Sequence, residues 1–274
     1  MNRVWSKLAA PVRLGLFLAA MMGAALAHAQ SAPVRVPILV YHRFGARVTD
    51  SMTVRTAVFA DQLRFLKEHH ITVVPLSEVV RYFRNEAPPP PANSIVITAD
   101  DGHRSVFTAM APLVERYKIP VTLFIYPSAI SNASYAMTWE QLAELKATGR
   151  FDVQSHTFWH PNFHIEKRRR SPADYRNFVS EQLVGSRKRL QDKLGGRIDM
   201  LAWPFGIYDD ELINLARESG YIAGFSIERR PASGRDNVMA LPRYLMTNGV
   251  QGGAFERIVE GESPNPRSRP EKNQ

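Results

Sequence analysis

Cysteine is absent from the 274 residues. That absence excludes disulfides, a thiolate zinc site and a cysteine-linked lipid anchor together, and leaves packing alone to stabilise the core. Long apolar runs are nearly absent as well. The longest, residues 14–27, is shorter than the roughly 20 residues a membrane helix needs, so no stable membrane insertion is expected. Arg3, Lys7 and Arg13 precede it and Ala27-His28-Ala29 follows, the pattern of a secretory leader. Residues 1–29 are therefore expected to be removed on export to the periplasm or the medium. Neither sign of charge dominates: those three cations belong to the 35 basic residues, and without them the balance against 26 acidic residues is +6. No stripe of Lys and Arg interleaved with aromatics appears, which argues against nucleic acid as a partner.

What is present is 45% hydrophobic and 22% charged residues, the proportions of a soluble globular chain. Short β-branched or apolar runs alternate with amphipathic stretches. Strands are predicted at residues 36–41, 71–74, 94–98, 121–126, 151–154, 200–203, 221–226 and 239–244, and helices at 59–69, 77–83, 105–117, 139–146, 172–193 and 209–218. Seven or eight β/α units in file predict a parallel α/β barrel, with the domain spanning residues 30–261. The proline- and charge-rich residues 262–274 are expected to be disordered. The basic run Lys167–Arg170 reads as a solvated loop ahead of a helix.

Reactive side chains gather where predicted strands run out. Asp100-Asp101-Gly102-His103 follows one strand, Ser155-His156 another, Trp203-Pro204-Phe205-Gly206 a third, and Tyr41-His42-Arg43 the first. In such a barrel the carboxyl ends of the strands share one face, and that face carries the active site. His156 and His160 have the spacing that sets two imidazoles on one side of a helical turn, and Asp101 can add an oxygen ligand, leaving a position open for water. Adjacent aspartates repel, and a nearby dication removes that conflict. A helix cap and a turn would account for one of the pair, not both.

These residues resemble the polysaccharide deacetylases of the NodB-homology type, carbohydrate esterase family 4. The family's Thr-Phe-Asp-Asp-Gly motif appears as Thr98-Ala99-Asp100-Asp101-Gly102, its His-Ser/Thr-x-x-His motif as His156–His160, and a variant of its third motif as Ala202–Gly206. The opening residues 36–44 look like the first strand of exported bacterial members. The resemblance runs from about Val36 to Met246. It implies a distorted (β/α)7 barrel and a divalent metal, with zinc the first choice and cobalt or nickel alternatives. It also implies removal of acetyl groups from a carbohydrate polymer. Carried over by position, Asp100 is the general base, Asp101, His156 and His160 the metal ligands, and the backbone N–H of Phe205 the oxyanion donor. Trp159, Trp203 and His103 are expected to face the substrate.

Two family features have no counterpart at their usual places. No Arg precedes the third motif to pair with the catalytic Asp, and the stretch Leu241-Pro242-Arg243-Tyr244 has no His where the family carries Leu-x-His as general acid. His42 is the preferred acid because it closes a barrel strand, with His103 second and His164 a distant third. An N-deacetylase of an amino sugar polymer is thus expected, the rivals being an O-acetyl esterase and a catalytically weak sugar-binding relative.

Overall fold

The structure is a computed structural model that describes residues 34–260. The expected leader, the expected domain boundary at residue 261 and the expected disordered tail lie outside the described residues. The parallel strands are β1 (Ile38–Tyr41), β2 (Thr72–Val73), β3 (Ser94–Asp100), β4 (Val121–Ile125), β5 (Phe151–Ser155), β6 (Met200–Ala202), β7 (Ala223–Phe225) and β8 (Tyr244–Leu245). Their order in the sheet is β7-β6-β5-β4-β3-β1-β8, with β2 pairing the first residues of β3. Every residue of β1, β3 and β4 is buried. Strands covered on both faces cannot alternate with polar residues, so they read as continuous apolar runs.

The sheet curls until one segment touches both of its edges. Leu241 bridges Phe225 of β7, and Tyr244 and Leu245 pair with Leu39 and Val40 of β1. Residues 241–245 therefore close the barrel. Arg243 sits at the seam, fully buried.

Helices α1 (Thr56–Glu68), α2 (Leu76–Phe83), α3 (Ala111–Tyr117), α4 (Trp139–Ala147), α5 (Phe163–Arg169), α6 (Pro172–Leu194), α7 (Asp210–Glu218) and α8 (Gly253–Val259) flank the sheet. On α1 the buried side chains Val58, Phe59, Gln62, Leu63 and Leu66 recur at helical spacing and face the core. Thr138 starts α4 with a full capping box against Gln141, as its sequence position predicts. Asp209 caps α7 by accepting from the N–H of Leu212.

Four local readings change. The strand predicted at 239–244 begins as a 3₁₀ turn, Val238–Ala240, and is a strand only at β8. Pro37, which lacks an N–H, divides the first strand: Arg35 and Val36 pair antiparallel with Ser233 and Ala232, and β1 begins afterwards. The helix predicted at 105–117 starts as a π-helical turn, Val106–Met110, before becoming α3. Residues 167–169 belong to α5 rather than to a loop, where Lys167 binds Asp209 and Glu211, and Arg170 pairs with Glu166. Two of the four cations, Lys167 and Arg170, are thus paired locally, while Arg168 and Arg169 stand exposed.

Candidate active site

Strand β3 delivers Asp100 and then turns. Asp101 and Gly102 both have φ of +74°, so the two neighbouring aspartates leave the strand in different directions. Gly102 is required here twice over: its φ disfavours any side chain, and a Cβ would lie 3.0 Å from Ile125 and Ile130. Asp100 ends fully buried, and Asp101 remains partly open.

From the end of β5, His156 donates its Nδ1–H to the carbonyl of Ala202, 2.7 Å away. That bond leaves Nε2 with its lone pair facing the two aspartates. Nε2 of His156 stands 3.7 Å from Asp101 Oδ1, and Nε2 of His160 stands 3.9 Å from the same oxygen. One ligand atom from each of the three lies within 4.8 Å of the others. Two imidazoles and a carboxylate that converge this closely, with one tautomer already set, fit a divalent cation.

The two histidines do not lie on a helical turn, contrary to the expectation from their spacing. Residues 156–160 form a bent loop in which Thr157 and His160 both have φ of +64°. The loop is held by its own hydroxyls. Thr157 Oγ1 accepts from the N–H of His160, and Ser155 Oγ accepts from the N–H of Thr157 and bonds Ser186 Oγ of α6. Helix α6 adds Gln182, which accepts from the N–H of Trp159.

Arg243 was not singled out from the sequence as a site residue. Its guanidinium grips Asp100 bidentately, Nη1 to Oδ1 at 2.9 Å and Nη2 to Oδ2 at 2.8 Å, while its Nε donates to the carbonyl of Ser226. Burial pushes the Asp100 carboxyl up, but Arg243 and His156 outweigh it and hold the group below the usual carboxylate range. The Arg absent from the third motif is therefore supplied by the closing segment. The two departures from the family pattern were complementary, and a lone Arg inside the apolar stretch 239–246 already called for a buried anion.

His42 leaves β1 beside the same carboxylates. Burial lowers its pKa, Asp100 and Asp101 oppose that, and its Nδ1 is buried without a hydrogen-bond partner among the described residues. Burial and the neighbouring His156 push His160 down to about 4. Both imidazoles are thus neutral near pH 7, the form that can ligate or accept.

The remaining expected residues divide. Phe205 has φ of +57° in a single 3₁₀ turn, is 56% exposed, and sets its ring edge-on to His160 with centroids 4.5 Å apart. Its N–H lies in the first turn, where backbone donors lack an intrahelical acceptor. Trp159 is 43% exposed at the rim. Trp203 does not face substrate: it is 1% exposed, and its indole N–H donates to Met239 O. Gly224 makes room for it, since a Cβ there would lie 2.7 Å from the indole nitrogen. His103 stays outside the triad, its Nδ1 accepting from the N–H of Ser105 at 3.1 Å, with its ring stacked on Tyr135.

The profile of the polysaccharide deacetylase family matches residues 87–224, and the chain belongs to that family. It is a polysaccharide deacetylase. Among curated relatives, a putative polysaccharide deacetylase of Bacillus subtilis is 24% identical over 229 residues, covering 83% of this chain and 77% of its own. A poly-β-1,6-N-acetyl-D-glucosamine N-deacetylase of Staphylococcus epidermidis is 24% identical over 222 residues, covering 79% and 74%. A Streptococcus pyogenes deacetylase solved with acetate superposes with a TM-score of 0.74 at 21% identity, over 83% of this chain and 99% of that one. A de-N-acetylase from Aggregatibacter actinomycetemcomitans gives 0.70 at 18% identity, over 82% and 100%.

Proposed function

We propose that the chain is a metal-dependent N-deacetylase of an N-acetylated amino sugar polymer, with β-1,6-linked N-acetylglucosamine, named for its staphylococcal relatives, as the first substrate to test. The observation that carries this reading is the ionised, Arg243-clamped Asp100 lying 3.8 Å from Nε2 of His156, beside the convergent Asp101, His156 and His160. Asp101, His156 Nε2 and His160 Nε2 would hold a divalent ion, which would supply Lewis acidity and lower the pKa of water; zinc, cobalt and nickel all suit two imidazoles and a carboxylate.

In this reading Asp100 takes the proton of the attacking water, and Arg243 keeps its carboxylate charged and oriented. The Phe205 N–H donates to the acetyl oxygen as negative charge develops there. His42, neutral at rest because burial outweighs the facing carboxylates, would have to gain a proton during the reaction before passing it to the departing nitrogen. An ester's alcohol needs that proton far less. His42→Ala should therefore slow amide hydrolysis at least about tenfold more than hydrolysis of an activated aryl acetate. Equal losses on the two substrates would reduce His42 to a positioning role.

The ligand assignment is tested by elemental analysis. Asp101→Ala, His156→Ala and His160→Ala should each lower metal content in protein stripped and reloaded with zinc, and undiminished content in all three would overturn the site. Acetate release from a panel of N- and O-acetylated glycans separates the N-deacetylase reading from the O-acetyl esterase. The leader motivates a further proposal, that the chain is exported and starts near Gln30. Mass spectrometry of soluble periplasmic or secreted protein should find that terminus, and an intact Met1 in membranes would refute it.

A further inference from the structure

Next to the catalytic centre lies a groove of about 460 Å³ whose lining includes Tyr126, Ser128, Asn132, Tyr135, Trp159 and His160. His160 belongs to the metal-ligating triad as well, so groove and centre are continuous. Two aromatic rings stand open to solvent there, Trp159 at 43% and Tyr135 at 40%. Both are fixed in place. Trp159 packs on Phe178, and its backbone N–H donates to Gln182 Oε1. Tyr135 stacks on His103, and its hydroxyl bonds that of Tyr126 at 2.7 Å.

The loop that carries Tyr135 is tied to both catalytic loops by backbone bonds. Met137 N–H donates to Gly102 O, Arg104 N–H to Tyr135 O, and Ser128 N–H to Phe158 O. The groove is therefore preformed at a set distance from the reacting centre. Asn132 spends its amide N–H on Ser128 O, which leaves Oδ1 to accept from a sugar hydroxyl or amide. Among the described residues no Asp, Glu, Lys or Arg lines it, Asp101 standing behind His160 in the adjoining centre. Aromatic faces with neutral polar groups suit a sugar ring, whereas a glucosammonium would lose water there with no anion in exchange.

Resting on the deacetylase reading above, we propose that this groove is the subsite for the sugar adjacent to the one being deacetylated, and that it takes this neighbour uncharged, with its acetyl group in place. The enzyme then disfavours units beside an already deacetylated neighbour, and its product carries scattered rather than consecutive amines.

The test uses two independent readouts. The Asp100→Asn chain is titrated with a β-1,6-linked N-acetylglucosamine tetramer and with its free-amine counterpart, read by tryptophan emission and calorimetry. The acetylated tetramer should bind about tenfold more tightly than the amine, and adding Trp159→Ala should weaken it about tenfold. In the active enzyme, Trp159→Ala and Tyr135→Ala should each raise KM for the tetramer about tenfold while kcat changes less than about threefold. Equal affinity for the two tetramers, or unchanged binding and KM in both variants, overturns the proposal. Absence of acetate release by the parent enzyme would instead sink the deacetylase reading, and the binding titration would still decide the groove.

Discussion

Replacing Asp100 by Asn should lower turnover by about 10⁴-fold, the upper end of what a positioned proton acceptor contributes, while leaving bound metal in place. The side chain keeps its shape but loses its charge and one acceptor. Asp100 offers both oxygens to Arg243, and an amide NH₂ cannot accept the second of those bonds. Metal content should persist because the proposed ligand atoms belong to Asp101, His156 and His160. Acetate release, elemental analysis and a thermal melt on one preparation check this. Turnover within tenfold of the parent would mean that Asp100 is not the base.

Replacing Arg243 by Met should destabilise the fold by about 3–5 kcal/mol, because it strands a carboxylate in the core. Arg243 also donates to Ser226 O at the end of β7 and to Thr98 Oγ1 on β3, so its loss loosens the barrel seam. The pH dependence has a defined sign. In the parent, Asp100 is held below its ordinary pKa, so its contribution to stability is present above the usual carboxylate range and is lost as pH falls through the depressed value. In the Met variant the Arg243 contribution is lost, and burial, the largest influence, is opposed only by His156 and His42, so the Asp100 pKa rises from its parent value and acidification relieves the variant. The stability gap between the two should narrow as pH falls from 7 toward 4. The double change Asp100→Leu with Arg243→Met should recover most of the stability, since it removes both charges together. Denaturant melts across pH measure this. A gap that widens on acidification, or a double variant no more stable than Arg243→Met, would show that the pair does not carry that energy.

Both expectations depend on a contact between residues 143 positions apart, and that separation marks where sequence reading stopped. Local patterns sufficed for most of the fold. Strands covered on both faces must be apolar throughout, and α1, α4, α6 and α7 announce themselves by periodicity or by a capping residue. The strand predicted at residues 94–98 was legible for that reason and the one at 151–154 less directly, since Asp152 is exposed, and the crowding of Asp100, Asp101, His156 and His160 at strand ends followed from both. The seven-residue helices α5 and α8 were not, because each holds only about two turns of periodicity and carries charge through it.

Composition and order along the chain determined the fold class and the strand ends at which the candidate metal donors gather, because each of those strands and its end is written in residues close in sequence. Tertiary structure alone decided three other matters. It brought the closing segment across the barrel so that Arg243 meets Asp100, a pairing set by which strands neighbour when the sheet curls. It put Trp203 in the core and left Trp159 in the open, although both sit beside catalytic motifs, because burial depends on what packs opposite: Gly224 and Met239 for one, solvent for the other. It also replaced the helical turn expected between His156 and His160 with a bent loop. Two left-handed residues and hydroxyls contributed partly by α6 set the imidazole positions there, and no local periodicity encodes a support that comes from another helix.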